Sequence, residues 1–266
     1  MAFWDQLPAR YSVILCDIWG VVHDGVTLYP GVCDRLHQWR SEGRKVVLIT
    51  NAPRTADAVE AQLTRLGLNR DCWDGISTSG EAGIAAIQRL HHPTGFLGTR
   101  EDRANLEGRG LGFVEQDFHE IAVTGLDDER DSVADYEDQL RALAERQVLF
   151  HCLNPDRVVI QGGVPELCAG ALADAYAAIG GPVAWYGKPY PTIYEHALGL
   201  AGDPPRESVL AVGDALVTDM LGAARQGYDA IFVQGGIHAG EQFPTGFATE
   251  YGLGPWTPIA VVESLA

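Results

Sequence analysis

Four short segments hold the side chains best suited to chemistry. In Asp17-Ile18-Trp19-Gly20-Val21-Val22-His23-Asp24-Gly25 a carboxylate follows directly on an apolar run, and two glycines follow it. A carboxylate there can act as a nucleophile or a metal ligand, and glycine lets backbone approach a ligand closely. An aspartate that merely caps a turn is the plainer use of the same residue. Ile49-Thr50-Asn51 offers a hydroxyl and an amide that suit hydrogen bonds to a phosphoryl oxygen, or that open a turn before Pro53. Gly187-Lys188-Pro189 fixes one lysine in a loop of restricted shape. Val212-Gly213-Asp214-Ala215-Leu216-Val217-Thr218-Asp219 sets two carboxylates five positions apart. That spacing suits a hard, oxygen-liganded cation, and Mg²⁺ in particular keeps several waters and binds phosphate.

The elements that must position these groups are legible from apolar patterning. Ser12 to Cys16 and Lys45 to Thr50 read as fully buried strands. Between them Val32, Leu36 and Trp39 fall at helical spacing with Gly43 as a stop, and Thr55 opens a second helix that ends at Gly67. Farther on, Pro191 to Leu200 reads as a helix, Ser208 to Val212 as a strand, Val217 to Gln226 as a helix and Ala230 to Val233 as a strand. Such alternation predicts a doubly wound parallel sheet, whose ligands bind beyond the carboxyl ends of the strands. Asp17, Thr50 and Asp214 lie at three such ends.

The stretch between about Gly80 and Pro182 also alternates. Strands are expected at Gly95 to Gly98, Ile121 to Thr124 and Val148 to His151, and helices at Ser132 to Arg146 and Pro165 to Ile179. Gly162-Gly163 and Gly180-Gly181-Pro182 punctuate its later part. We therefore expect an α/β core in two parts, residues 1–79 and 183–266, with a smaller α/β domain, residues 80–182, inserted between them.

Composition narrows the function. The chain has 266 residues, 46% of them apolar, enough for a sizeable core. Nineteen basic against thirty-six acidic residues leave a formal charge of -17, which disfavours nucleic acid and anionic membranes as partners. Any anion site must therefore be local, built from a lysine, backbone N–H groups or a metal ion. Five scattered cysteines without a C-x-x-C pair fit reduced thiols in cytoplasm. No opening signal or spanning apolar run is evident.

Taken together, the four segments resemble the motifs of the haloacid dehalogenase superfamily, in the same order and over nearly the whole chain. Thr78-Ser79-Gly80, Asn154-Pro155-Asp156 and Gly187-Lys188-Pro189 resemble its subfamily IIA. That is the 4-nitrophenylphosphatase-like and nucleotidase-like branch, with an α/β cap between the second and third motifs. The resemblance implies a Mg²⁺-dependent phosphatase acting on a small phosphorylated metabolite, with a homodimer left open. By the same resemblance Asp17 attacks phosphorus to give an aspartyl phosphate, which water then cleaves. Mg²⁺ would be held by Asp17, the Trp19 carbonyl oxygen and Asp214, with Asp219 orienting metal waters or Lys188. Thr50, the Asn51 backbone and Lys188 would hold the transferring oxygens, and Asn154 and Asp156 would touch substrate.

One position departs from that pattern. The family's phosphatases usually have a second aspartate two residues after the nucleophile, as general acid and base, and here it is Trp19. An indole N–H can donate a hydrogen bond but exchanges no proton usefully. Acid–base help is commonly worth about 10²–10⁴-fold; His23 and Asp24, close by on the expected flap, are the candidate substitutes, with an ordinary turn histidine the plainer use of His23. Two other readings stand beside the main one. The first is a metal-independent carbon–halogen hydrolase, against which Asp214 and Asp219 argue; the second is a catalytically weak phosphometabolite-binding protein, which Trp19 favours.

Overall fold

The structure is a computed structural model that describes residues 3–161, 164–235 and 242–266; Gly162-Gly163, expected as punctuation, lies outside the described residues. In chain order come β1 (Val13–Asp17), α1 (Val32–Ser41), β2 (Lys45–Thr50), α2 (Ala56–Arg65) and β3 (Gly75–Thr78). Next are α3 (Ser79–Leu90), β4 (Thr94–Leu97), α4 (Arg100–Gly108), β5 (Glu120–Val123), α5 (Glu137–Glu145) and β6 (Leu149–Cys152). The strands β7 (Val158–Gln161) and β8 (Val164–Leu167) precede α6 (Ala169–Ala178) and β9 (Val183–Trp185). The last elements are α7 (Pro191–Ala201), β10 (Val209–Gly213), α8 (Leu221–Gln226), β11 (Asp229–Val233), α9 (Phe247–Glu250) and β12 (Ala260–Val262).

Two compact units result. The first comprises Met1–Thr50, Val59–Ser77 and Tyr194–Ala266, and its six-stranded sheet has the order β12-β11-β10-β1-β2-β3. From β12 to β2 every pairing is parallel. Val13 to Asp17 and Val209 to Gly213 are buried throughout, the pattern of strands covered on both faces. The order of the strands reverses about β1, which pairs with β2 on one side and β10 on the other. That is the switch point where an open α/β sheet leaves a crevice for ligands.

The second unit comprises Asn51–Ala58 and Thr78–Ile193. It has a parallel sheet of order β4-β5-β6-β9 and an antiparallel hairpin, β7-β8. One face of the larger sheet packs Ile121, Val123 and Phe150 against Leu140, Leu172 and Tyr176. The other packs Ala122, Leu153 and Tyr186 against Ala82, Ile84 and Leu106. The unit reaches beyond the expected 80–182 at both ends and also takes in residues 51–58. Hydrogen bonds explain this: the Ala56 N–H donates to Glu81 Oε1, the Thr78 hydroxyl to the Arg54 carbonyl and the Gly80 N–H to the Ala52 carbonyl. A Cβ on Gly80 would also run into the Pro53 and Arg54 backbone, so α3 begins flush against that segment.

Several expected elements change shape. The helix expected from Pro165 starts only at Ala169, because Val164 to Leu167 pair with Val158 to Gln161. The helix expected from Ser132 opens as a 3₁₀ turn, Val133–Tyr136, fixed by a reciprocal Ser132–Asp135 capping box. Val217 to Gln226 divides into a wide π turn, Leu216–Met220, and then α8. β3, α3, α4, the β7 strand, β9 and β12 had no clear signal of their own. Among the described residues no helix is long and apolar enough to cross a membrane.

Candidate active site

In the first unit β1 ends on Asp17 and β10 on Gly213, and these neighbouring parallel strands bring the carboxylates of Asp17 and Asp214 side by side. The π turn after β10 carries Asp219 back toward them. Its Oδ2 accepts from the Ala215 N–H (3.2 Å) and the Thr218 hydroxyl (3.4 Å). All three carboxylates are buried, and ligand oxygens of the three lie within 4.8 Å of one another. Two glycines make the room. At Gly213 a Cβ would stand 2.6 Å from Asp219 Oδ1, and at Gly20, with φ +88°, it would stand 2.6 Å from Asp214 Cγ.

Two unit charges 4.8 Å apart repel by about 3.5 kcal/mol at an effective dielectric of about 20. Three carboxylates so close, two at strand ends and one on the π turn, therefore suit a hard divalent cation. Mg²⁺, implied by the motifs, fits this all-oxygen donor set. The Trp19 carbonyl lies in the Ile18–His23 loop, a tight turn closed by Gly20 N–H to His23 carbonyl (2.9 Å) and Val22 N–H to Ile18 carbonyl (2.8 Å).

His23 does not stand in as the missing acid. It is buried, its Nδ1 accepts from the Gly25 N–H at 2.9 Å, and its ring meets the Trp19 indole edge-on at 5.3 Å. Burial holds its pKa below the ordinary value, against the opposing pull of Asp24. With Nδ1 already accepting, the neutral ring keeps its proton on Nε2, and a neutral imidazole is a very weak acid. His23 thus braces the loop. Asp24 is no better placed: its exposed carboxylate accepts from the Thr27 and Val26 N–H groups, which hold its pKa below the ordinary value.

The other predicted residues form a knot in the second unit, apart from Thr50, which is buried at the end of β2 in the first. Asn51 Oδ1 accepts from the Lys188 N–H (2.6 Å), while its Nδ2 donates to Asp156 Oδ1 (2.8 Å) and the Lys188 carbonyl (3.1 Å). Asn154 Oδ1 accepts from the Asp156 N–H (3.2 Å). Gly187 has no room for a Cβ, which would lie 2.5 Å from both Asn51 Oδ1 and the Pro155 ring. Lys188 itself is buried.

These bonds bear on three residues singled out from the sequence. The Asn51 side chain is engaged in holding the lysine loop rather than in presenting an amide to a phosphoryl oxygen. Asn154 Oδ1 takes the Asp156 N–H within its own turn, and Asp156 Oδ1 takes the Asn51 amide, so these two oxygens brace the knot. What the sequence offered and we missed is His151, a histidine inside the apolar strand Leu149-Phe150-His151-Cys152, whose partners are described below.

Comparison with known proteins follows the same outline. A family model described as haloacid dehalogenase-like hydrolase matches residues 14–112, and an HAD-hydrolase-like model matches residues 185–266. A solved hydrolase of the haloacid dehalogenase-like family from Brucella suis 1330 is 32% identical and superposes with a TM-score of 0.85, covering 98% of each chain. The chain belongs to the haloacid dehalogenase-like hydrolase family. Among curated haloacid dehalogenase-like relatives, ribonucleotide monophosphatase NagD of Escherichia coli (strain K12) is 28% identical over 228 residues, 84% of this chain and 88% of its own. The fold is shared with 4-nitrophenylphosphatase of Thermotoga maritima, at 21% identity and a TM-score of 0.77 over 96% of this chain and 95% of that one. These relatives fall in the branch that the motifs resemble.

Proposed function

We propose that this haloacid dehalogenase-like phosphatase removes phosphate from a small phosphorylated metabolite through an aspartyl phosphate on Asp17. The observation that carries the reading is the buried cluster of Asp17, Asp214 and Asp219 at the switch point of a parallel sheet. NagD, named a ribonucleotide monophosphatase, supports a phosphate monoester as substrate.

Asp17 and Asp214, with the Trp19 carbonyl, would hold Mg²⁺, and Asp219 would support it from the π turn. When bound, the ion neutralises charge on the carboxylates and on the phosphoryl oxygens. An Asp17 oxygen then attacks phosphorus, the ester oxygen departs with its electron pair, and water cleaves the acyl phosphate to restore the carboxylate. The Thr50 hydroxyl, the Asn51 backbone N–H and the Lys188 ammonium steady the transferring oxygens. The Asn51 side chain keeps the Lys188 backbone in register for that task. The five thiols spread along the chain support a reducing compartment, the cytoplasm.

Trp19 sets the selectivity. With an indole at the usual acid position and His23 committed to its loop, the leaving oxygen gains no proton from either side chain. Rates should therefore depend steeply on leaving-group pKa: aryl and acyl phosphates should turn over about 10²–10⁴-fold faster than alkyl ones of similar size. A panel of phosphate esters with Mg²⁺, run on wild type and Trp19→Asp, tests this, and the substitution should flatten the dependence. Equal chemistry-limited rates for aryl and alkyl esters in wild type would refute it.

A further inference from the structure

A buried polar network outside the site lies on one face of the second unit's sheet. His151, in the middle of β6, is fully buried. Its Nδ1 is 2.7 Å from the Tyr186 hydroxyl and its Nε2 is 3.1 Å from Glu120 Oε2. The Tyr186 and His151 rings also stack, with centroids 5.7 Å apart. Glu120, which opens β5, turns its other oxygen to Nδ1 of His92 at 2.6 Å, and His92 is 58% exposed. A line of polar groups thus runs from the surface through three buried side chains.

The protons along it can be assigned. Burial pushes the Tyr186 hydroxyl up to about 12, so it keeps its proton and donates to His151 Nδ1. Burial also lowers the His151 pKa, outweighing Glu120, so the ring is neutral and its Nε2–H donates to Glu120. His92 Nδ1–H then donates to the other Glu120 oxygen. Each member has its partner, and a fully satisfied buried network fixes one geometry where apolar packing would tolerate several. The surroundings are otherwise apolar: Ala82, Ile84, Ile87, Leu106, Ala122 and Leu153 form this cluster with Tyr186.

The far end of the line is what gives it a use. Tyr186 directly precedes Gly187-Lys188, and its backbone N–H bonds to the Cys152 carbonyl of β6. The loop that carries Lys188 is therefore gripped on its backbone by Asn51 and on its incoming side by Tyr186. We propose that the Glu120–His151–Tyr186 relay positions Lys188 for phosphoryl transfer. Tyr186 is the positioning residue, and His151 and Glu120 hold its hydroxyl. The proposal rests on the reading that Lys188 steadies the transferring phosphoryl group.

The test is a double-mutant cycle on the full chain, with Tyr186→Phe and Lys188→Ala singly and together. It is read on kcat for an aryl phosphate with Mg²⁺ and on the dissociation constant of inorganic phosphate, so that a very slow Lys188→Ala enzyme still closes the cycle. Tyr186→Phe should lower kcat about 5- to 100-fold, the range set by small misplacements of a catalytic group, and should have little further effect once Lys188 is gone. His151→Gln should behave in the same way, and Glu120→Gln replaces Tyr186→Phe if the latter does not fold. Unchanged kcat in folded Tyr186→Phe overturns the proposal, as does an equal loss in both Lys188 backgrounds, which is the mark of a merely structural role. Wild-type turnover and phosphate binding in Lys188→Ala would instead overturn the functional reading beneath it.

Discussion

Replacing Gly20 with alanine puts the carboxylate cluster to a quantitative test. Gly20 has φ +88°, and an added Cβ would stand 2.6 Å from Asp214 Cγ and closer still to Oδ2. Ordinary contact begins near 3.4 Å, so the Asp214 carboxylate must shift by about 1 Å or more, or the loop must open. Two costs follow. A side chain in the left-handed region costs roughly 1–2 kcal/mol wherever it occurs, and a misplacement near 1 Å costs about 10²-fold in rate. Gly43 separates them, because it has φ +84° with nothing within 4 Å of a Cβ. Gly43→Ala should lose only the backbone part of the stability and keep its kcat. Gly20→Ala should lose more stability, about 10- to 100-fold in kcat, and most of the rise in melting temperature on adding millimolar Mg²⁺. Melting curves with and without Mg²⁺, and steady-state rates on an aryl phosphate, measure all three quantities. The reasoning fails if Gly20→Ala matches Gly43→Ala in rate and in Mg²⁺ response.

Asp17→Asn should cut turnover more than about 10³-fold for every ester, because the amide is a poor nucleophile. Its melting temperature without metal should hold or rise as one charge leaves the cluster; turnover within about tenfold of wild type would remove Asp17 from the mechanism. Asn51→Ala deletes the acceptor for the Lys188 N–H and the donor to Asp156. It should cost about 2–3 kcal/mol in a denaturant titration and lower kcat about tenfold; a loss of rate with no loss of stability would show that the knot does not hold the loop. His151 is held below its ordinary pKa, so the unfolded chain binds more protons below about pH 6.5. Its contribution to stability is complete above that value and is lost as pH falls toward the folded pKa. Melting temperature should therefore drop more between pH 7 and 5 in wild type than in His151→Gln, and parallel curves would refute this.

The core was legible because its strands are continuous apolar runs that end abruptly on polar residues. Val13 to Asp17 and Lys45 to Thr50 needed only their burial to be read, and Asp17, Thr50 and Asp214 follow as strand ends. The second unit was less legible because its strands are short and its punctuation is ambiguous. Pro165 looked like a helix opener, yet it sits in a hairpin strand paired with Ile160, a long-range choice that no local propensity encodes. Site residues were identified by type, but their duties depend on partners far away in sequence. Asn51 meets Lys188 across 137 positions, and no spacing rule announces that its amide goes to a backbone rather than to a substrate. His23 was legible as a titratable group near the nucleophile, while the bond from the Gly25 N–H that disables it belongs to a loop geometry visible only in three dimensions.

That loop also carries the selectivity proposed above. Ile18 to Gly25 is closed by backbone bonds, by His23 Nδ1 on the Gly25 N–H and by the His23 ring against Trp19. Gly25, at φ +94°, lies so close to the indole that a Cβ would meet Cη2 at 2.5 Å. The two residues nearest in sequence to a proton-exchange role are thus parts of one packed unit that also carries the Trp19 carbonyl. Freeing either to move a proton would disturb the loop that positions the nucleophile's neighbours. On the mechanism proposed above, a preference for weakly basic leaving groups follows from how this loop of the first unit is built.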